Sequence, residues 1–313
     1  MDNGLDYLVS VVDHLGKDEY GDDPGPRSLK YAVLHLQAAA EVLLKARLER
    51  EHWSLVAEKI TDKKLSRVKF EQGDFFSIAP SEAVRRLRDI VGFDVSTEEA
   101  SNLDTLTKTR NALQHYGLTV NYEVVESLTA KVLDFLIRFL DDSLLPELGS
   151  EELDAVTQDV DYVRAGANRL RAYADERLER IRPLLVGLEE RTVLCPRCFQ
   201  DAVVVEADWG ADPKVVPRCR FCATDWLPFA LAAEYRIVHN AGLFSDNVPT
   251  CHRCGQVRTV VRHVTRVSDL RQPSSEDPHP LHESVTFCFE CAAPVTDQGG
   301  EEPDDSVSSK DDA

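Results

Sequence analysis

The sequence predicts a mainly α fold that ends in a small β-rich region, and two observations support this prediction. First, apolar residues recur at helical spacing in the first half of the chain. The clearest example is the stretch "LKYAVLHLQAAAEVLLKARLEREHW", which begins at Leu29. Second, the chain after residue 190 is rich in cysteine and in short apolar alternations typical of strands, such as "AVVVEADW" and "VRTVVRHVTRV". We therefore expect a helical bundle followed by compact β modules.

Shifts in composition divide the chain into five expected parts. Their boundaries are 1–149, 150–190, 191–243, 244–295 and 296–313. The first part is expected to be an all-α domain. The second has sparser apolar positions and alternating charges, and is expected to be one long, solvated connecting helix. The third and fourth each hold two cysteine pairs, and the acidic last part, almost free of apolar residues, is expected to be disordered.

The overall charge restricts the classes of partner. With 55 acidic and 36 basic side chains, the chain has a formal net charge of −19. Such a charge repels polyanions and disfavours non-specific binding of nucleic acid. A role on nucleic acid therefore needs a local basic pocket or a partner that brings the substrate. No apolar run is long enough for a membrane span, and the acidic start lacks the basic region of a secretion signal, so we expect a cytoplasmic protein.

The eight cysteines form four Cys-x-x-Cys pairs, and this spacing predicts metal binding. The pairs are Cys195/Cys198, Cys219/Cys222, Cys251/Cys254 and Cys288/Cys291. A two-residue gap lets a tight turn direct two thiolates at one tetrahedral ion, and two pairs close a Cys₄ shell. We expect about two structural Zn²⁺ ions per chain and no catalytic metal, because closed shells leave no position for a substrate. Pairing in chain order gives two zinc ribbons, while a cross-braced pairing of the first pair with the third remains open.

The stretch "TRNALQHYG" places Arg110 and His115 near a predicted helix end. Five residues turn an ideal helix by about 140°, so the two side chains converge only if the end frays or a second copy of the chain contributes. A histidine that titrates near neutral pH can transfer a proton, and an arginine can hold phosphate oxygens, as metal-free RNA cleavage requires. The ordinary alternative is a histidine favoured by the helix dipole and an arginine paired with an acid.

Because of Arg110 and His115 and the helical pattern around them, roughly the first 145 positions resemble the higher eukaryotes and prokaryotes nucleotide-binding (HEPN) superfamily. Arg110-Asn111-x3-His115 matches the Arg-x4–6-His motif of its ribonucleases, in which a polar residue often follows the arginine. Glu41 and Lys45 match an acid-then-lysine pattern on the family's buried helix. The resemblance implies a homodimer that joins two Arg/His pairs in one cleft and cuts RNA without metal, leaving a cyclic phosphate. Many such proteins are toxins or phage-defence effectors.

The resemblance also implies roles for individual residues. His115 is the expected general acid/base, Arg110 the phosphate clamp, and Asn111 a residue that orients the phosphate or the histidine. Glu41, Lys45 and Tyr116 are weaker candidates for orienting roles. One toxin subgroup has a tyrosine two residues after the histidine, whereas this chain has glycine there and Tyr116 directly after His115.

The expected partners follow from this assignment, and two other functions stay open. RNA is the substrate, and the zinc ribbons recognise that substrate or a regulatory protein such as an antitoxin. The first alternative is a non-catalytic HEPN-type dimer that binds a nucleotide or a protein, with the ribbons as adaptors. The second, a zinc-ribbon regulator that binds nucleic acid, is disfavoured by the net charge.

Overall fold

The computed structural model describes seven stretches of the chain. They cover residues 1–16, 25–59, 65–115, 122–206, 216–238, 249–270 and 282–295. The chain divides into two compact units, residues 1–180 and 181–313. The first unit is helical, and the second contains small antiparallel sheets. The predicted fold class, mainly α with a small C-terminal β region, is confirmed, whereas the expected disorder of 296–313 lies outside the described residues.

The helices of the first unit begin and end close to the apolar stripes of the sequence. They are α1 (Asp2–Leu15), α2 (Pro26–Glu51), α3 (Arg67–Glu71), α4 (Pro80–Arg86), α5 (Thr97–His115), α6 (Tyr122–Phe139), α7 (Ser150–Asn168) and α8 (Arg171–Leu185), the last of which crosses residue 180. Before α5, the backbone N–H of Ser96 donates to Glu99 Oε2 at 2.8 Å, and the N–H of Glu99 donates to Ser96 Oγ at 3.1 Å. This is the reciprocal capping that a serine followed by a glutamate three residues later predicts.

Helix α2 is the centre of the first unit, because α1, α4, α5 and α6 all pack on it. Leu36 and Leu43 are fully buried, and the alanines between them let neighbouring helices approach closely. At Gly4 in α1, an added Cβ would lie 2.7 Å from Leu43 Cδ2. The close contact of α1 with α2 therefore requires a residue without a side chain at position 4. This contact sets the positions of the side chains along the edge that the two helices share.

The expectation of a single solvated helix over residues 150–190 is wrong. The chain forms α7 and α8, separated at residues 169–170, where the N–H of Leu170 bonds to the carbonyl of Ala167 at 2.9 Å. Val156, Val160 and Val163 are buried at helical spacing, and α7 packs against α1. The charged residues of α7 occupy its other faces, so a high charge content concealed a narrow apolar stripe.

A buried ion cluster ties the start of α8 to α6. Asp134 of α6 is 4% exposed and accepts hydrogen bonds from Arg177 and Arg180 of α8. Tyr173 is also buried here, and burial raises the pKa of its hydroxyl. Since isolated buried charges are costly, the cluster specifies how α8 docks.

The described residues of the second unit form two three-stranded antiparallel sheets of the same strand order. Its elements are β1 (Thr192–Leu194), β2 (Asp201–Val204), β3 (Arg218–Cys219), α9 (Pro228–Val238), β4 (Val260–Val264), β5 (Val285–Cys288) and β6 (Ala293–Pro294). The sheet orders are β1-β2-β3 and β4-β5-β6. In α9, Arg236 Nη2 donates to the carbonyl of Val260 at 2.6 Å, which joins the helix to the second sheet.

Candidate functional site

The cysteines of the second unit form two separate four-sulfur groups. Within each group, all sulfur atoms lie within 4.8 Å of one another. The groups follow chain order: Cys195, Cys198, Cys219 and Cys222, then Cys251, Cys254, Cys288 and Cys291. The cross-braced alternative is therefore contradicted, because the first and third pairs belong to different groups.

The sulfur spacing fits a tetrahedral metal shell. The Sγ atoms of Cys195 and Cys222 are 3.8 Å apart, and those of Cys198 and Cys219 are 3.7 Å apart. A tetrahedral ion with metal–sulfur bonds of about 2.3 Å requires sulfur separations of about 3.8 Å. A disulfide would require about 2.05 Å, so the thiols are placed for a shared ion and not for oxidation to each other.

The backbone turn that carries each cysteine pair is repeated. The residue after each second cysteine has a left-handed backbone, with φ values of 57°, 57°, 72° and 49° at Phe199, Ala223, Gly255 and Ala292. In three of the turns, the N–H of the first cysteine bonds to the carbonyl five residues later at 2.8–2.9 Å; these bonds are Cys195 to Gln200, Cys219 to Thr224 and Cys251 to Gln256. Left-handed residues other than glycine persist only where the surrounding structure holds them. The two modules therefore share one kind of cysteine turn.

Hydrogen-bond donors lie close to cysteine sulfur atoms in both four-sulfur groups. The N–H of Cys222 lies 3.4 Å from the Sγ of Cys219, and the hydroxyl of Thr224 lies 3.2 Å from the Sγ of Cys222. In the second group, the hydroxyl of Thr259 lies 3.6 Å from the Sγ of Cys288. Polar groups around metal-bound sulfur stabilise its negative charge and orient it.

In the first unit, α5 carries the three residues of the Arg–Asn–His motif. Arg110 is half-buried, and its Nη1 donates to Asn111 Oδ1 at 2.9 Å, while Asn111 and His115 are exposed. Helix α5 extends through His115, so an ideal helix turns about 140° between the arginine and the histidine. One chain therefore places these two side chains on different faces of α5, and Tyr116 lies outside the described residues.

The acid-then-lysine pair of α2 lies next to Arg110. Lys45 Nζ is 2.6 Å from Glu41 Oε1 and also donates to Ser77 Oγ at 2.9 Å. Gln37 Nε2 donates to Glu41 Oε2 at 3.2 Å. Partial burial on its own raises the pKa of Glu41, but the hydrogen bond and charge of Lys45, the bond from Gln37 and the charge of Arg110 together lower it. The carboxylate is therefore ionised near neutral pH, and Arg110 faces an anionic, well-bonded partner.

Sequence reasoning missed a cleft beside this pair. It has a volume of about 380 Å³ and is formed by side chains of α1, α2 and α5. Its lining residues are Tyr7, Lys30, Tyr31, Leu34, His35, Gln37, Ala38, Arg110 and Gln114. His115 is not among them. Polar and aromatic residues at helical spacing within apolar helices, such as Tyr31 and His35, were the signal that could have revealed it.

Three rings that line the cleft, those of Tyr7, Tyr31 and His35, form a cluster with the neighbouring ring of His14. The ring of His35 lies 5.7 Å from Tyr7, 5.6 Å from His14 and 6.2 Å from Tyr31. Its Nδ1 is 2.7 Å from the Ser10 hydroxyl. Burial, and secondly the charge of His14, lowers the pKa of His35, which keeps its ring neutral near neutral pH.

No family model, no curated protein and no solved structure matches this chain. Among the helices of the described stretches, none has the length and apolar character needed to cross a membrane.

Proposed function

We propose that the chain is a metal-independent endoribonuclease of the HEPN type that acts as a toxin or a phage-defence effector. Arg110 binds the scissile phosphate, His115 transfers protons, and Asn111 orients the arginine. The observation that carries the proposal is the position of Arg110. Although about 65 residues separate the motifs, Arg110 lines the same cleft as Gln37, whose amide donates to Glu41, and Lys45 binds Glu41 directly. Three residues that match the resemblance, Arg110, Glu41 and Lys45, thus lie close together at the contact of α2 and α5.

The proposed reaction is a transesterification within RNA. The 2′-oxygen attacks the phosphorus, the bond to the 5′-oxygen breaks, and the products are a 2′,3′-cyclic phosphate and a 5′-hydroxyl. His115 accepts the 2′-hydroxyl proton and passes it to the leaving 5′-oxygen, and the arginine stabilises the charge on the phosphate. Because α5 separates Arg110 from His115 by about 140°, we assign the histidine at each arginine to the second protomer of a homodimer.

A non-catalytic binding scaffold is the second candidate, and one observation favours it. Arg110 lines a cleft that His115 does not line. A nucleotide or a protein segment bound in such a cleft would meet the arginine without a reaction. The cleavage experiment below separates the two functions.

The four-sulfur groups are proposed to hold structural Zn²⁺, one ion per group. Thiolates at tetrahedral spacing select zinc or an iron–sulfur centre, and closed shells leave no site for substrate. In each module, the ion would join the two turns that carry its ligands and so stabilise the sheet between them. Reduced thiolates fit a reducing compartment such as the cytoplasm. We assign the modules to recognition of RNA or of a regulatory protein such as an antitoxin.

Cleavage of RNA in the presence of EDTA tests the enzymatic proposal. The comparison includes wild type, Arg110→Ala, His115→Ala and the control Arg171→Ala, whose side chain is 96% exposed. We expect wild type and the control to cut, and each site variant to lose about 100-fold or more in rate. The zinc content of each sample is measured in parallel, because EDTA also competes for structural zinc. Equal rates in all four proteins, or cleavage only with added Mg²⁺, would contradict the proposal.

Mixing the two inactive variants tests the shared site. A heterodimer of Arg110→Ala and His115→Ala retains one intact Arg110–His115 combination if the residues come from different protomers. After subunit exchange, we expect about a quarter of wild-type activity, because half of the dimers are mixed and each has one intact site. No recovery, with exchange verified by native mass spectrometry, would place both residues of each site in one chain and contradict the assignment.

Metal analysis tests the zinc proposal and the pairing together. Wild type is expected to contain about two zinc ions per chain by elemental mass spectrometry. The double variant Cys195→Ser/Cys219→Ser disrupts one group and should retain about one ion, whereas Cys195→Ser/Cys251→Ser should retain none. Iron in place of zinc, or the opposite order of the two double variants, would refute the assignment.

A further inference from the structure

We propose that the cleft between α1, α2 and α5 binds a nucleotide, with the phosphate held by Lys30 and Arg110 and the base and sugar against Tyr7 and Tyr31. The inference rests on the proposed function in so far as Arg110 belongs to both. It adds residues of α1 and α2 that the motif does not contain, and it specifies the part of RNA that they recognise.

The described lining of the cleft is positively charged. Among its described lining residues, the permanently charged side chains are Lys30 and Arg110, both cationic, and no lining residue is acidic. Glu41, the carboxylate that interacts electrostatically with Arg110, is already hydrogen-bonded to Lys45 and Gln37. A chain with a net charge of −19 thus has a basic pocket at this point. In the proposed site, the ammonium group of Lys30 binds phosphate as a point charge, and the guanidinium group of Arg110 donates two parallel hydrogen bonds to it.

His35 adds an uncharged imidazole ring to the same pocket. The Nδ1 of His35 lies 2.7 Å from the Ser10 hydroxyl. In the tautomer in which that hydroxyl donates to Nδ1, the ring proton is on Nε2, and Nε2 can donate to a ligand. Burial and the charge of His14 both favour the neutral ring. A neutral imidazole that donates to phosphate oxygen adds selectivity for an anion without a further desolvated charge.

The size and walls of the cleft favour a nucleotide over a bare anion. Its volume of about 380 Å³ lies within the range of roughly 300–1,000 Å³ typical of small-molecule sites. Tyr7 and Tyr31 provide aromatic surface, and Tyr31 is 36% exposed. Gln114 supplies amide groups that can pair with a base edge. Proteins recognise single-stranded RNA through this combination of aromatic surface, edge hydrogen bonds and phosphate contacts.

Calorimetric titration of the full chain tests the inference without any cleavage reaction. The ligands are the four ribonucleoside 5′-monophosphates, inorganic phosphate and the four nucleosides. We expect at least one monophosphate to bind about tenfold or more tightly than phosphate or its own nucleoside, because only the nucleotide meets both the cations and the rings. Failure of every monophosphate to bind would overturn the inference.

Matched variants locate the binding. Lys30→Gln and Arg110→Gln should each weaken the nucleotide about tenfold or more, as loss of a charge-assisted hydrogen bond implies. Lys108→Gln removes the same charge from an exposed position of α5, where Lys108 pairs with Asp104, and should leave the affinity unchanged. Equal weakening by Lys108→Gln would show a general charge effect and refute the site.

His115→Ala separates this inference from the proposed function. Since His115 does not line the cleft, His115→Ala should keep nucleotide affinity while losing RNA cleavage. If RNA is cleaved through Arg110 and His115 but no nucleotide binds, the cleft inference fails alone. If a nucleotide binds through Lys30 and Arg110 but no RNA is cut, the proposed enzymatic function fails alone.

Discussion

Replacement of Asp134 by asparagine should strongly destabilise the first unit. Asp134 Oδ1 accepts from Arg177 at 3.1 Å, and its Oδ2 accepts from Arg180 at 2.5 Å. The side chains of Asp134 and Arg177 are only 5% and 8% exposed. The asparagine side chain would keep the shape but remove the charge that balances the two guanidinium groups. Breaking a buried pair by removal of one partner costs about 3–5 kcal/mol.

This loss of folding free energy corresponds to a lower melting temperature of the first unit. For domains of 150–250 residues, each kcal/mol lowers the melting temperature by roughly 2–4 °C, so Asp134→Asn should lower that of the first unit by roughly 6–20 °C. Differential scanning calorimetry measures the helical transition, with metal-bound protein used throughout so that the second unit stays constant. Asp104→Asn is the matched control, because Asp104 and Lys108 are 54% and 75% exposed and such pairs contribute about 1 kcal/mol or less. A shift no larger than that of the control would refute the reasoning that the buried cluster docks α8.

Three further predictions concern local packing, ionisation and capping. Gly166→Ala should destabilise by about 1–3 kcal/mol in urea unfolding, because its Cβ would lie 2.7 Å from Val12 Cβ and 2.8 Å from Val12 Cγ2. Val12→Ala in the same chain removes the Cγ contact and should recover part of the loss, and additive losses would contradict this. The pKa of His35, measured by NMR, should lie below 6.5, and His14→Gln should restore it only in part, since burial is the larger cause of the shift. The neutral ring therefore adds stability to the folded state that is fully present above pH 6.5. This stability is lost as the pH falls through the lowered pKa of the folded state. Ser96→Ala should cost about 1 kcal/mol by loss of the cap, and an unchanged midpoint would contradict it.

The sequence predicts those local structures, such as helix caps and cysteine turns, that depend only on residues close together in the chain. The Ser96–Glu99 cap needs only a turn of four residues, and the cysteine turns need only the two-residue gap. The association of the cysteine pairs was left open by the sequence, because spacing does not specify which turns meet in space. The sheet register, with Val203 opposite Cys219, brings the first two turns together.

The features that sequence reasoning missed depend on tertiary packing. The break between α7 and α8 follows from the docking of a valine stripe on α1 and of Arg177 on Asp134, and charge alternation does not reveal either contact. The cleft likewise needs α1, α2 and α5 side by side, although its residues are scattered from Tyr7 to Gln114. The motif was visible because Arg110 and His115 are close in sequence, yet the helix separates them.

The chemical nature of the RNA ends tests the central claim most directly. A defined single-stranded RNA is incubated with wild type and with Arg110→Ala, and the products are analysed by mass spectrometry. Metal-free transesterification at the Arg110–His115 site predicts 2′,3′-cyclic phosphate and 5′-hydroxyl ends with wild type, and about 100-fold less product with Arg110→Ala. Ends with a 3′-hydroxyl and a 5′-phosphate, or an intact RNA under all conditions, would contradict the account.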